Sequence, residues 1–211
     1  MKGNIEAQRV VYVIDDDADT REALKSLFAS VGLRAETLGS AAEFFNKQLP
    51  DAAICLVVDI RLPGLSGLDF QAELSRVNID APIIFITGHG DIAMTVKAMK
   101  AGAVEFLTKP FRDQDLLDAV KLGLEKDEAK RKSQIASAGV RASFDLLTPR
   151  EQEVFRLVTV GLMNKQVAAE IGVSEITVKV HRGNVMRKMK ASSLVDLIRM
   201  ADMLGIRHTT T

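Results

Sequence analysis

Val10-Val11-Tyr12-Val13-Ile14-Asp15-Asp16-Asp17 is an apolar run that stops abruptly in acids. An unbroken apolar run of this length reads as a strand buried on both faces, because a strand with one wet face would alternate. The pattern recurs down the chain. Ile54-Cys55-Leu56-Val57-Val58 runs into Asp59, Ile83-Ile84-Phe85-Ile86 runs into Thr87, and Val104-Glu105-Phe106-Leu107 is followed by Lys109. Arg34-Ala35-Glu36-Thr37-Leu38 is a weaker strand. Helical patterns near 19–31, 40–48, 66–76, 91–101 and 113–125 separate these runs. Such alternation predicts an α/β unit: a parallel sheet with helices on both faces. In sheets of that kind the working site lies beyond the carboxyl ends of the strands.

Asp15-Asp16-Asp17, Asp59, Thr87 and Lys109 all fall at that edge. Taken singly, an Asp after a strand is a turn residue or helix cap, and a Thr or Lys there meets solvent. Their coincidence at four strand ends points to phosphoryl chemistry. Crowded carboxylates repel one another and call for a cation. Mg²⁺ takes oxygen ligands and relieves the repulsion. Asp59 can then act as a carboxylate nucleophile toward phosphorus, with the metal offsetting charge on the phosphoryl oxygens. Lys109 adds a point charge, and the Thr87 hydroxyl can donate to a phosphate oxygen.

From about Phe144 onward only helical patterns appear. Thr148-Pro149-Arg150-Glu151 combines a cap, a first-turn proline and a capping-box acid. Asn164 is the expected cap of a helix over 165–171, Gly172-Val173 a turn, and Ser174 the cap of a third helix; a fourth runs over about 193–204. Two helices joined by a tight glycine turn form the helix-turn-helix pattern. On the third helix, Val178, Val185 and Met189 form the apolar stripe with His181 near it, while Lys179, Arg182, Gly183 and Met186 lie toward the other side. Residues 165–190 hold six Lys and Arg against two Glu, the footprint expected of a phosphate-binding surface. The plain alternative is a four-helix domain with a wet basic face. Between the halves, 125–143 is rich in charge, Ala and Ser. Opposed pairs, Asp127 with Arg131 and Glu128 with Lys132, suit an exposed helix that Gly139 is expected to break.

The whole chain, 211 residues, balances 28 Lys and Arg against 28 Asp and Glu, but unevenly. Residues 1–124 hold 13 cations against 18 anions, a net of −5, and residues 125–211 hold 15 against 10, a net of +5. An acidic half joined to a basic one suggests two jobs, the second with nucleic acid. No apolar stretch is long enough to span a membrane. Met1-Lys2-Gly3-Asn4-Ile5-Glu6 is polar, unlike a secretory signal. The single cysteine, Cys55, admits no intrachain disulfide, which fits a cytoplasmic protein, and its apolar setting predicts an inert buried thiol. No His/Cys cluster has zinc spacing.

Val13-Ile14-Asp15-Asp16-Asp17, Val58-Asp59-Ile60-Arg61-Leu62-Pro63-Gly64, Ile86-Thr87-Gly88-His89-Gly90-Asp91 and Lys109-Pro110-Phe111 resemble, in order and spacing, the receiver domain of two-component response regulators. Leu147-Thr148-Pro149-Arg150-Glu151, Asn164-Lys165-Gln166-Val167-Ala168 and 174–189 resemble the LuxR-type DNA-binding domain. Together they resemble the FixJ/NarL family. The resemblance implies a flavodoxin-like, doubly wound (βα)5 receiver over 1–124, a partly helical linker over 125–143, and an all-α four-helix DNA-binding domain over 144–211. It implies that Asp59 is the phosphoacceptor, and that Asp15, Asp16, Asp59 and the backbone carbonyl of Arg61 hold Mg²⁺. Lys109-Pro110 would be a cis peptide, and Phe106 an aromatic switch moving with Thr87; a plain core role is the alternative for Phe106. Asp17 stands where many relatives have Glu. Base contacts are implied for Lys179, Val180 and Arg182, and backbone contacts for Thr177, Lys165 and His181, with helix packing the alternative for His181. Gly183 offers no side-chain hydrogen bond to a base. The implied partners are a sensor histidine kinase, double-stranded promoter DNA, RNA polymerase and, on phosphorylation, a second copy of the chain.

Two other function classes compete. An aspartyl phosphohydrolase normally carries a second Asp two residues beyond the nucleophile, where this chain has Arg61. A scaffold reading would give the basic half a protein partner. The expectation is a regulator that catalyses only its own phosphoryl acceptance and loss.

Overall fold

The computed structural model describes residues 9–88 and 92–206; the polar start at 1–6 and the motif residues His89, Gly90 and Asp91 lie outside them. The chain divides into two compact units, Met1–Arg131 and Lys132–Thr211.

In the first unit β1 (Arg9–Ile14), β2 (Arg34–Leu38), β3 (Ala53–Asp59), β4 (Ile83–Thr87) and β5 (Glu105–Thr108) form one parallel sheet in the order β2-β1-β3-β4-β5. This is the doubly wound, flavodoxin-like arrangement expected from the sequence. Side chains alternate across each strand, and both faces are covered. On one face Tyr12, Ile14, Leu56, Val58 and Phe85 pack with Phe44 and Phe70, from α2 (Ala41–Phe45) and α3 (Gly67–Arg76). On the other, Val11, Val13, Cys55, Val57, Ile84 and Ile86 pack with Leu24, Phe28, Leu116, Val120 and Leu124, from α1 (Ala18–Ser30) and α5 (Asp113–Asp145). α4 (Ile92–Lys100) precedes β5. Burial from both sides is why these strands read as unbroken apolar runs. Gly67 opens α3 where a Cβ would stand 2.9 Å from the Ile60 Cα and 3.0 Å from the Asp59 carbonyl. Its bare backbone lets the helix start against the end of β3. α2 is shorter than the expected 40–48; Asn46 ends it, and Pro50 disfavours helix at the residue before it.

The expected break at Gly139 does not occur: residues 125–143 lie inside α5, which runs unbroken to Asp145. One interior glycine costs about 1 kcal/mol, and contacts along the helix outweigh that. Arg9 donates to Glu128 at 2.7 and 3.2 Å, and Lys130 pairs with Asp80 at 2.6 Å. Arg131 pairs with Asp51. The Asp127 carboxylate, 5% exposed, accepts the Ile54 backbone N–H at 2.9 Å. Asp127, Glu128 and Arg131 are therefore engaged with the sheet end, where the sequence suggested pairs within the helix.

In the second unit α6 (Pro149–Thr159), α7 (Asn164–Ile171), α8 (Glu175–Met189) and α9 (Leu194–Met203) enclose a core of Phe144, Val154, Phe155, Val167, Ile171, Val178, Val185, Met189 and Leu197. Asn164 is not the cap of α7 but its first residue. The Met163 N–H before it is satisfied by the Gln166 side chain at 2.9 Å, and Asn164 Oδ1 instead accepts from Arg182 at 3.0 Å. Gly172 makes the turn into α8 with φ 70, a conformation that favours glycine.

Candidate functional site

The register sets Ile14 beside Val58 and Asp59 beside Ile86, so the residues that follow β1, β3 and β4 emerge together. Asp15 is fully buried and Asp59 is 9% exposed. Lys109 Nζ reaches both carboxylates, donating to Asp15 Oδ2 at 2.8 Å and Asp59 Oδ2 at 3.1 Å. The remaining oxygens are also held. The Asp17 N–H donates to Asp15 Oδ1 at 2.9 Å, and the Arg61 N–H to Asp59 Oδ1 at 3.0 Å. Lys109-Pro110 is cis. Thr87 is fully buried at the end of β4, and its carbonyl accepts the Lys109 N–H at 2.7 Å. Phe106, 9% exposed, belongs to the core cluster that contains Phe85 and Ala98.

Asp15, Asp16 and Asp59 each offer a carboxylate oxygen within 4.8 Å of the others. Burial pushes the Asp15 carboxyl above its ordinary value, even against the Lys109 ammonium and the Asp17 N–H. Burial works to lower Lys109, but its hydrogen bonds with Asp15 and Asp59 prevail and hold it above the usual lysine value. One ammonium thus shares a partly dry site with three carboxylates. An all-oxygen, acidic donor set of this kind suits a hard divalent cation. Asp17 does something else: its side chain caps α1 by accepting from the Asp19 and Thr20 N–H groups, which hold its carboxyl below the ordinary range. Local sequence did not point to Arg21, which donates to the Asp15 carbonyl at 2.7 Å and fixes the loop that carries the acids. Arg61 itself faces solvent.

In the second unit, Ser174 caps α8 through the Thr177 N–H, and the two hydroxyls lie 2.8 Å apart. Val178, Val185 and Met189 are buried as expected, whereas Met186 packs partly against the same core rather than outward. Lys165, Lys179 and Val180 are exposed. Arg182 is half-buried and engaged with Asn164, and His181 turns a buried Nδ1 inward with no hydrogen-bond partner among the described residues. Lys188, counted with the basic footprint, donates to the nearly buried Glu151 at 2.6 Å and to the Leu146 carbonyl at 3.2 Å. These cations differ in availability, which a charge count does not reveal.

Comparison with known proteins places both units. Residues 11–121 match the family model "Response regulator receiver domain", and residues 145–201 match "Bacterial regulatory proteins, luxR family". The chain is 58% identical to Nodulation protein W of Bradyrhizobium diazoefficiens, with 99% of this chain and 93% of that protein covered. It is 47% identical to the response regulator protein TmoT of Ectopseudomonas mendocina, covering 93% and 90%. Among solved structures, that of the response regulator StyR is similar at 46% identity and a TM-score of 0.83, covering 93% of this chain and 99% of that one. A receiver fold with its acids and lysine gathered at the strand ends, followed by a LuxR-type helix-turn-helix, makes this chain a member of the DNA-binding response regulators, which regulate transcription.

Proposed function

We propose that Asp59 accepts a phosphoryl group from a sensor histidine kinase and that this event controls promoter binding by the second unit. The carrying observation is the Lys109 ammonium bridging Asp15 and Asp59. A carboxylate oxygen of Asp59 forms the new P–O bond as the donor's P–N bond breaks. The departing imidazole keeps that electron pair and takes up a proton from solvent. Asp15, Asp16 and Asp59, with the Arg61 carbonyl, would hold Mg²⁺, which when bound offsets charge on the phosphoryl oxygens. Lys109 follows the new dianion, and the Thr87 hydroxyl donates to it. The added charge draws Thr87 and Phe106 into a changed arrangement, a local event biasing a two-state element. A phosphorylated pair of chains then reads two half-sites about one helical turn apart and meets RNA polymerase there. On this reading the protein works in the cytoplasm and is not an enzyme toward other substrates; it catalyses only the gain and loss of its own phosphate.

Incubation with acetyl phosphate and Mg²⁺ tests it. The wild type gains one phosphate by intact mass, and its affinity for promoter fragments rises. Asp59→Asn folds, gains none and shows no rise. Phosphate uptake by Asp59→Asn would end the assignment.

A further inference from the structure

Ile176 is 77% exposed and Val180 59% exposed, both on α8 and opposite its buried stripe. Gly183 completes the same face at helical spacing. Glycine is the least favoured residue of a helix interior after proline, and the fold does not require one here: a Cβ on Gly183 would find nothing within 4 Å. Large apolar side chains in water and a glycine that the packing does not need are both costs to the chain alone. They become useful if another surface comes close to this strip of backbone. Exposed Lys179 lies beside the strip and exposed Arg187 continues it one turn further along the helix, so a polyanion fits better than an apolar protein face. Arg182, which could have hydrogen-bonded to bases, is turned to Asn164.

We infer that α8 reads its half-site largely through apolar contact. Ile176 and Val180 meet thymine methyl groups in the major groove, and Gly183 is a specificity-determining position whose missing side chain lets the helix backbone approach the base edges. This rests on the DNA-binding reading. Thymine displays its C5 methyl in the major groove, and apolar side chains recognise it there. On this inference Lys179, for which the resemblance implied a base contact, joins Arg187 in supplying phosphate attraction that does not depend on sequence.

The test begins with duplexes enriched from a random library by the full-length, acetyl-phosphate-treated chain. Each thymine in the enriched site is then replaced by deoxyuridine, which removes only the methyl. Loss of one buried methyl-sized group weakens binding about fourfold, and at least two positions should show it. Gly183→Ala should raise the melting temperature by a few degrees while weakening the enriched duplex at least about tenfold and leaving unrelated duplexes unchanged. A structural role for Gly183 would move stability and affinity in the same direction. Deoxyuridine neutral at every position, or Gly183→Ala binding like wild type, overturns the inference. If Ile176→Ser and Val180→Ser weaken self-association and leave DNA affinity intact, the strip belongs to a protein contact and the inference fails. If no sequence is enriched, the DNA-binding reading fails with it.

Discussion

Glu151 ties α6 to α8, and its removal should be costly. Its side chain is 4% exposed and accepts Lys188 Nζ at 2.6 Å. It also accepts the Thr148 N–H at 2.8 Å, closing a capping box. Glu151→Gln keeps the shape and deletes the charge. Breaking a buried pair costs about 3–5 kcal/mol by stranding the partner. Here Lys188 keeps 24% exposure and can recover some hydration, which brings the expected loss to about 2 kcal/mol. For a unit of this size that is a fall of roughly 8–16 °C in its melting temperature. The pH dependence has a definite sign. Burial pushes the Glu151 carboxyl up, but Lys188 and Thr148 prevail and hold it below the ordinary value. Its contribution is therefore complete above the unfolded carboxylate pKa, about 4.3, and is lost as pH falls through the lower folded value. Scanning calorimetry of the full chain at neutral pH and across the acid range measures both. Equal melting of wild type and Glu151→Gln at pH 7, or a gap between them that does not narrow in acid, would refute the argument.

Two further perturbations follow from the packing of the first unit. Gly123 of α5 faces Cys55, and a Cβ there would lie 2.6 Å from Sγ; Gly123→Ala should destabilise by about 1–3 kcal/mol in urea unfolding, and Cys55→Ala in the same chain should recover part of that. Cys55 is fully buried with its thiol pushed up to about 12 by burial, so a disulfide reagent at pH 8 should label it only as fast as the chain unfolds. Prompt labelling of native protein would contradict that burial.

The receiver was legible because its strands are buried on both faces and each chemical group ends or directly follows one; short-range pattern carries both facts. The helix over 113–145 was legible in its first part and in its continuation past 125, but not in its passage through Gly139, since partners that hold it lie far away in sequence. Arg9 and Glu128 are 119 residues apart, and no local rule links them. Charge and alanine around Gly139 imitate a linker when those partners are unseen. The start of α7 misled for a related reason: Asn164 is a good cap, but Gln166 satisfies the Met163 N–H and Arg182 claims the Asn164 side chain. On α8 the sequence could place the apolar stripe by periodicity. It could not tell that Lys188 serves Glu151 while Lys179 stands free of the core, because a cation engaged inside the fold and one turned to water look alike in a string of letters.

The carboxylate of Asp127 has a practical bearing on how this protein is dissected. It supplies the acceptor for a buried amide near the start of the central strand, that of Ile54, from a position one helix turn beyond residue 124. A fragment ending at residue 124 would strand that amide and release Arg9 as well, at about 1–3 kcal/mol for the amide alone. An isolated phosphoacceptor half should be cut no earlier than Arg131, and weak or aggregating short fragments would reflect the scissors rather than the domain.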